Sequence, residues 1–144
     1  MNNNFPPTKD PATKNAVLVI TLSVFALIIA ILSLPWHTQV VAVNDYFYSI
    51  SKAGAQDAGV LPVTLPLVAV LIVVLIKPKK VLNSFRLRTI FFAGLWVTGY
   101  SVYYFCAVTA GQYTTPGFGA LAAIIGGVLL MFISIVKYAQ KNSF

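Results

Sequence analysis

One cysteine, one histidine and three acidic residues are all that this 144-residue sequence offers to metal, redox or proton chemistry. Cys106 alone can form no internal disulfide and no dithiol pair. His37 alone excludes a haem held by two histidines of this chain. With Asp45 and Asp57 it makes a poor ligand set, so no metal and no cofactor is expected. No Asn begins an Asn-x-Ser/Thr sequon. Charged residues make up 9% of the chain, against ~25% in soluble domains, so the surface is expected to face something other than water.

Four apolar stretches fill about half of the sequence, at residues 16–34, 60–76, 89–108 and 118–136. Each approaches the ~20 apolar residues that a helix needs to cross a bilayer. None contains Asp, Glu, Lys, Arg or His. Intramembrane ionisable groups mark proton relays and cation antiporters, and their absence argues against both. Of the ten cations, all but Lys52 fall on one side of these stretches: Lys9 and Lys14 before the first, Lys77, Lys79, Lys80, Arg86 and Arg88 between the second and third, Lys137 and Lys141 after the fourth. That is the positive-inside pattern. It implies one membrane domain, N-in and C-in: a cytoplasmic tail at 1–15, an outer loop at 35–59, a cytoplasmic loop at 77–88, a second outer loop at 109–117 and a tail at 137–144. The net charge of +7 is then a matter of topology and attraction to anionic lipid, and no nucleic-acid partner is expected. The first stretch is long for a signal peptide and lacks an Ala-x-Ala end, so it reads as an uncleaved anchor.

Local patterns refine this outline. Ser23, Ala26, Ala30 and Ser33 put small residues on one face of the first stretch, where helices can approach closely. Pro35 stops that helix and Trp36 prefers the headgroup level. Residues 38–43 and 46–51 are β-prone runs around Asn44-Asp45, which predicts a two-stranded hairpin on the outer surface. Pro62 suits a first helical turn, whereas Pro66 removes the amide that would bond the carbonyl of residue 62, a loss that nearby Thr64 is placed to offset. Val81, Leu82, Phe85 and Leu87 among the inner cations read as an interfacial segment. Thr114-Thr115-Pro116-Gly117 reads as a turn and helix start. Gly119, Ala123 and Gly127 at four-residue spacing form a small-xxx-small face, which serves either packing within the chain or docking on another protein's helix.

The candidate interface residues, toward lipid or partner, are Trp36, His37, Tyr46, Tyr48, Tyr100, Tyr103, Tyr104, Gly119, Ala123 and Gly127. Aromatic residues of this kind form either an interfacial belt or a protein-binding surface. His37 reads either as an amphipathic interfacial side chain or as a headgroup, quinone or pH-sensitive contact.

A first span closed by Leu34-Pro35-Trp36, a β-prone outer loop, a Lys/Pro inner turn and Pro116-Gly117-x-Gly119 entering a Gly/Ala-rich fourth span resemble the small four-span membrane proteins common in bacteria, most of which lack an assigned function. The topology is similar to claudin-like tetraspans, but the outer loop has neither their cysteine pair nor their Gly-Leu-Trp motif, so a claudin function is not implied.

The expected fold is therefore an all-α, four-helix transmembrane bundle with a small β-hairpin-like outer loop. The expected function is non-catalytic: an accessory or assembly subunit in the cell membrane, its partners membrane lipids and other membrane subunits. The alternative is a small-molecule or lipid carrier, or an oligomeric pore, with Thr98, Ser101, Thr64, Ser23 and Ser33 as its polar lining. A third reading is an interfacial enzyme using His37 and Asp45.

Overall fold

The chain cannot continue a helix through Pro35, and that residue decides the architecture. In the computed structural model, which describes residues 11–76, 84–112 and 114–142, helix α1 (Pro11–Ser33) ends there and the backbone passes directly into strand β1 (Pro35–Val43). Asn44 and Asp45 adopt φ of 50° and 67°. Paired positive φ values match a tight hairpin turn to the strand twist. Strand β2 (Tyr46–Ala53) returns antiparallel to β1, from Val43↔Tyr46 to Pro35↔Ala53, with a register shift between Pro35 and His37. Two short 3-10 turns, Gly54–Gln56 and Ala58–Val60, lead into α2 (Leu61–Ile76). Helix α3 (Ser84–Thr109), strand β3 (Thr114–Pro116) and helix α4 (Phe118–Asn142) follow. The sheet order is β2-β1-β3, with His37↔Pro116 and Gln39↔Thr114 joining β1 to β3.

This arrangement corrects the expectation of an all-α, four-span bundle. The hairpin lies where the Asn-Asp turn signal put it, but it is part of a three-stranded antiparallel sheet. Thr114–Pro116, expected as a turn, pairs with the open edge of β1 because its β-branched threonines suit an extended strand. Among the described residues, only two helices are long and apolar enough to cross a membrane, Ser84–Thr109 and Phe118–Gln140. The apolar parts of α1 and α2 are the shorter Val17–Ser33 and Leu61–Leu75. At 1.5 Å per residue these reach only about 23–26 Å, against ~30 Å of hydrocarbon. At the sheet end, the prolyl exit at Pro35 and the 3-10 turn ending at Val60 leave Leu34 and Val60 outside the helices. The N-terminal tail through residue 10, with Lys9, and the inner residues Lys77, Lys79, Lys80, Val81 and Leu82 lie outside the described residues.

Helices α3 and α4 form the most extensive helix pair. Their closest approach is at Gly94 and Gly127. A Cβ on Gly94 would sit 2.7 Å from the Gly127 carbonyl oxygen, and one on Gly127 would sit 2.8 Å from that of Gly94. Only glycine lets the backbones come so near. The core against this pair is aliphatic, with Val24, Ile31, Val63, Leu67, Val70, Ile90 and Val97 fully buried.

Pro66 lies inside α2, so the Pro62 carbonyl has no intrahelical donor. Its partner comes from α3: Trp96 Nε1 donates to it at 3.0 Å. Thr64, the residue nearer in sequence, instead directs its hydroxyl to the carbonyls of Leu61 and Val60, at 3.2 and 3.4 Å. The freed carbonyl is thus satisfied across a helix interface.

Candidate functional site

The sheet is fastened to the helices through two consecutive residues of β1. Trp36 is fully buried. Its indole Nε1 donates to the Ile31 carbonyl at 2.7 Å, which satisfies an orphan acceptor in the last turn of α1. Gly119 makes room for the ring, since a Cβ there would sit 2.6 Å from Trp36 Cδ1. The Gly117 amide bonds the Trp36 carbonyl at 2.8 Å and brings the start of α4 against the same strand.

His37, the next residue, points toward Tyr104 of α3 and Asp57 between the two 3-10 turns. Tyr104 Oη donates to Asp57 Oδ2 at 2.7 Å. His37 Nδ1 lies 2.9 Å from Tyr104 Oη and 3.2 Å from Asp57 Oδ2. Asp57 Oδ1 accepts the Gly59 amide at 2.9 Å, an aspartate turn closed on its own backbone. Tyr104 also packs edge-on against Trp36, with ring centroids 5.2 Å apart. The His37 and Asp57 side chains keep 17% and 16% of their surface exposed. Partial burial pushes the Asp57 carboxyl up, but the Tyr104 hydroxyl, the Gly59 amide and the nearby His37 outweigh it and hold the group below the usual carboxylate range. Asp57 is thus an anion at neutral pH with both oxygens engaged. The arrangement is well suited to holding β1, the 3-10 turns and α3 together. A cavity of about 310 Å³ opens beside it, with Gln56, Asp57 and Thr64 supplying polar atoms and Leu32, Val60 and Leu61 apolar walls.

The residues singled out in the sequence fall into three groups. Trp36, His37 and Tyr104 come together in the junction just described. Gly119, Ala123 and Gly127 are buried inside the chain, Gly119 against Trp36 and Gly127 against Gly94. Tyr46, Tyr48 and Tyr103 are exposed, by 69%, 54% and 70%; Tyr100, half-buried, has its ring 6.4 Å from that of Tyr103. Asp45 stands at the hairpin turn, about 20 Å along β1 from His37. The pairing of His37 with Asp45 is therefore corrected: the carboxylate beside His37 is that of Asp57. The local signal for Asp57 was the Asp-x-Gly spacing to Gly59, which marks an aspartate turn.

Within the hairpin, β2 is far more exposed than β1. Every residue of β2 except Ala53 is exposed, including Phe47 and Ile50 beside the two tyrosines. β2 is an edge strand, and among the described residues no further strand covers it. No protein-family model and no curated protein matches the chain.

Proposed function

We propose that this chain is a non-catalytic integral membrane protein, an accessory or assembly subunit that packs against a larger membrane complex through its hairpin. The observation that carries this reading is the β2 edge, where Tyr46, Phe47, Tyr48 and Ile50 are exposed on a strand whose outer side pairs with no other strand among the described residues. Exposed apolar edge strands are templates for pairing with another chain, and aromatic residues supply the anchors of protein interfaces. The membrane setting is supported by α3 and α4, both long and apolar enough to cross, and by apolar side chains exposed on all four helices, such as Phe25, Leu65, Leu95 and Ile125. Arg86 and Arg88 open α3 and Lys137 lies near the end of α4. These cations share one end of the pair, so we infer that this end faces the cytoplasm of the cell membrane and that the sheet faces outward.

A carrier or pore would need its hydroxyls along one wet path. Ser101 and Thr64 are buried, while Ser23 and Ser33 are exposed on α1, so the subunit reading is preferred. The test is recovery of the full chain from membranes in mild detergent, with and without Phe47→Ser and Tyr48→Ser. A stoichiometric membrane partner is expected with the parent sequence and should be lost with the folded variants. Recovery of a lone monomer under conditions that preserve other complexes would sink the proposal.

A further inference from the structure

At the end remote from the sheet, α3 and α4 enclose a groove of about 390 Å³ lined by Leu87, Arg88, Phe91, Phe92, Ile135 and Tyr138. Its volume lies within the ~300–1,000 Å³ of small-molecule sites. The walls are almost wholly apolar. Ser134 also borders the groove, but its hydroxyl donates to the Leu87 carbonyl and leaves the floor without a free polar group. The polar atoms gather at one end, where Arg88 is exposed and Tyr138 brings a phenol from α4. The first turn of α3 contains no acidic residue, so the helix dipole adds to the positive field. Lys137 adds a further cation on α4. The carboxylates of Asp45 and Asp57 belong to the sheet end of the molecule.

An apolar channel with a cation and a phenol at its mouth fits one kind of occupant, an amphiphile with a negatively charged head. We propose that this groove binds an anionic phospholipid, with an acyl chain along Phe91, Phe92 and Ile135 and the phosphate at Arg88 and Tyr138. The assignment rests on the membrane reading above, which puts this end among cytoplasmic-leaflet headgroups, where anionic lipids concentrate. Arginine suits the role because its planar fork meets phosphate oxygens in pairs.

Native mass spectrometry of the full chain, extracted from membranes and exchanged with phosphatidylglycerol or phosphatidylcholine, tests this. The parent sequence should retain phosphatidylglycerol about fivefold better, the ratio one cation near a lipid surface supplies. Arg88→Ala should remove the preference, and Arg88→Lys, which keeps the charge but not the planar fork, should keep part of it. Ile135→Trp, which fills the groove without changing charge, should lower retention of both lipids. Equal retention by the parent sequence, or an unchanged preference in Arg88→Ala, would overturn the site. So would full competition by inorganic phosphate together with no effect of Ile135→Trp, which would mark a bare anion site. Recovery of the chain from the soluble fraction would overturn the membrane reading itself, an outcome distinct from a membrane-extracted chain that shows no headgroup preference.

Discussion

At the sheet end of α3 and α4, polar groups are buried and tied to one another: Trp36 to the Ile31 carbonyl, and His37, Tyr104 and Asp57 to each other. At the opposite end, Arg88 stands exposed at an apolar groove, while Arg86 is buried. At the first end α1, α3 and α4 meet β-structure and α2 follows from the 3-10 turns, and the hydrogen bonds there fix how the sheet sits. The second has no such cap among the described residues, and its groove cation, Arg88, faces outward. The contrast separates two uses of polar side chains. Within the molecule, a polar group needs a partner at defined geometry, because an unsatisfied buried group costs ~1–3 kcal/mol. At a lipid boundary, an exposed cation needs only a countercharge and tolerates variation. Substitutions should therefore act on stability at the sheet end and on ligand preference at the basic end.

The largest expected effect tests that division directly. Trp36→Ala removes a fully buried indole and leaves the Ile31 carbonyl without its donor. The expected loss is about 3–5 kcal/mol, read from denaturant unfolding in detergent. Phe92→Ala at the basic end, where the ring is 63% exposed, should cost no more than ~0.5 kcal/mol. Comparable losses at the two positions would break the comparison.

The helix pair that connects the ends should be less forgiving than its composition implies. Gly127→Ala places a methyl group against the Gly94 carbonyl and should cost about 1–3 kcal/mol. Partner capture through the hairpin should persist in this variant if the folded fraction is compared. A substitution without thermal or denaturant effect would mean that α3 and α4 do not rely on this contact.

How much of this was legible in the sequence depends on the range of each signal. The hairpin turn was, because Asn44-Asp45 is a local statement about positive φ. The Gly119-Ala123-Gly127 pattern correctly marked close approach, but spacing does not say on which side the neighbour lies. Here the neighbours are Trp36 and Gly94. The four apolar stretches were visible, and at the sheet end the bounds of the first two fell within one residue of α1 and α2. That these two are too short to cross was not, since about 17–19 apolar residues lie within the range of a span. β3 was missed because three residues acquire strand character only from the open edge of β1. The Asp57-x-Gly59 spacing marked an aspartate turn, but that Asp57 rather than Asp45 stands beside His37 depended on the path of the two 3-10 turns.

The charge state of the junction gives a third, smaller contrast. Asp57 has its carboxyl below the unfolded value of 3.8. Protons then bind the unfolded chain more tightly, so the stabilisation is complete above about pH 4 and is lost as pH falls through the lower, folded value. Asp57→Asn should cost about 1–2 kcal/mol at neutral pH and should flatten the acid limb of the stability profile. Arg88→Ala should leave that limb unchanged. An acid limb that survives Asp57→Asn would assign it to another group.

The smallest effect lies between the two ends and tests whether burial logic extends across the helix interface. Trp96 is 58% exposed, and its Nε1 bonds the Pro62 carbonyl that Pro66 leaves free. Trp96→Phe removes the donor while keeping most of the ring, with an expected loss of about 0.5–1.5 kcal/mol. That loss alone could come from packing. Pro66→Ala separates the two causes, because it restores the amide that can reach the Pro62 carbonyl within α2. If Trp96 acts as a substitute donor, Trp96→Phe should cost less in the Pro66→Ala background than in the parent, by most of its original effect. A double-mutant cycle in denaturant measures that difference. Equal costs in both backgrounds would show that the indole contributes area alone and that the carbonyl finds its partner elsewhere. A reduced cost would show that α3 supplies the hydrogen bond that the proline removes from α2.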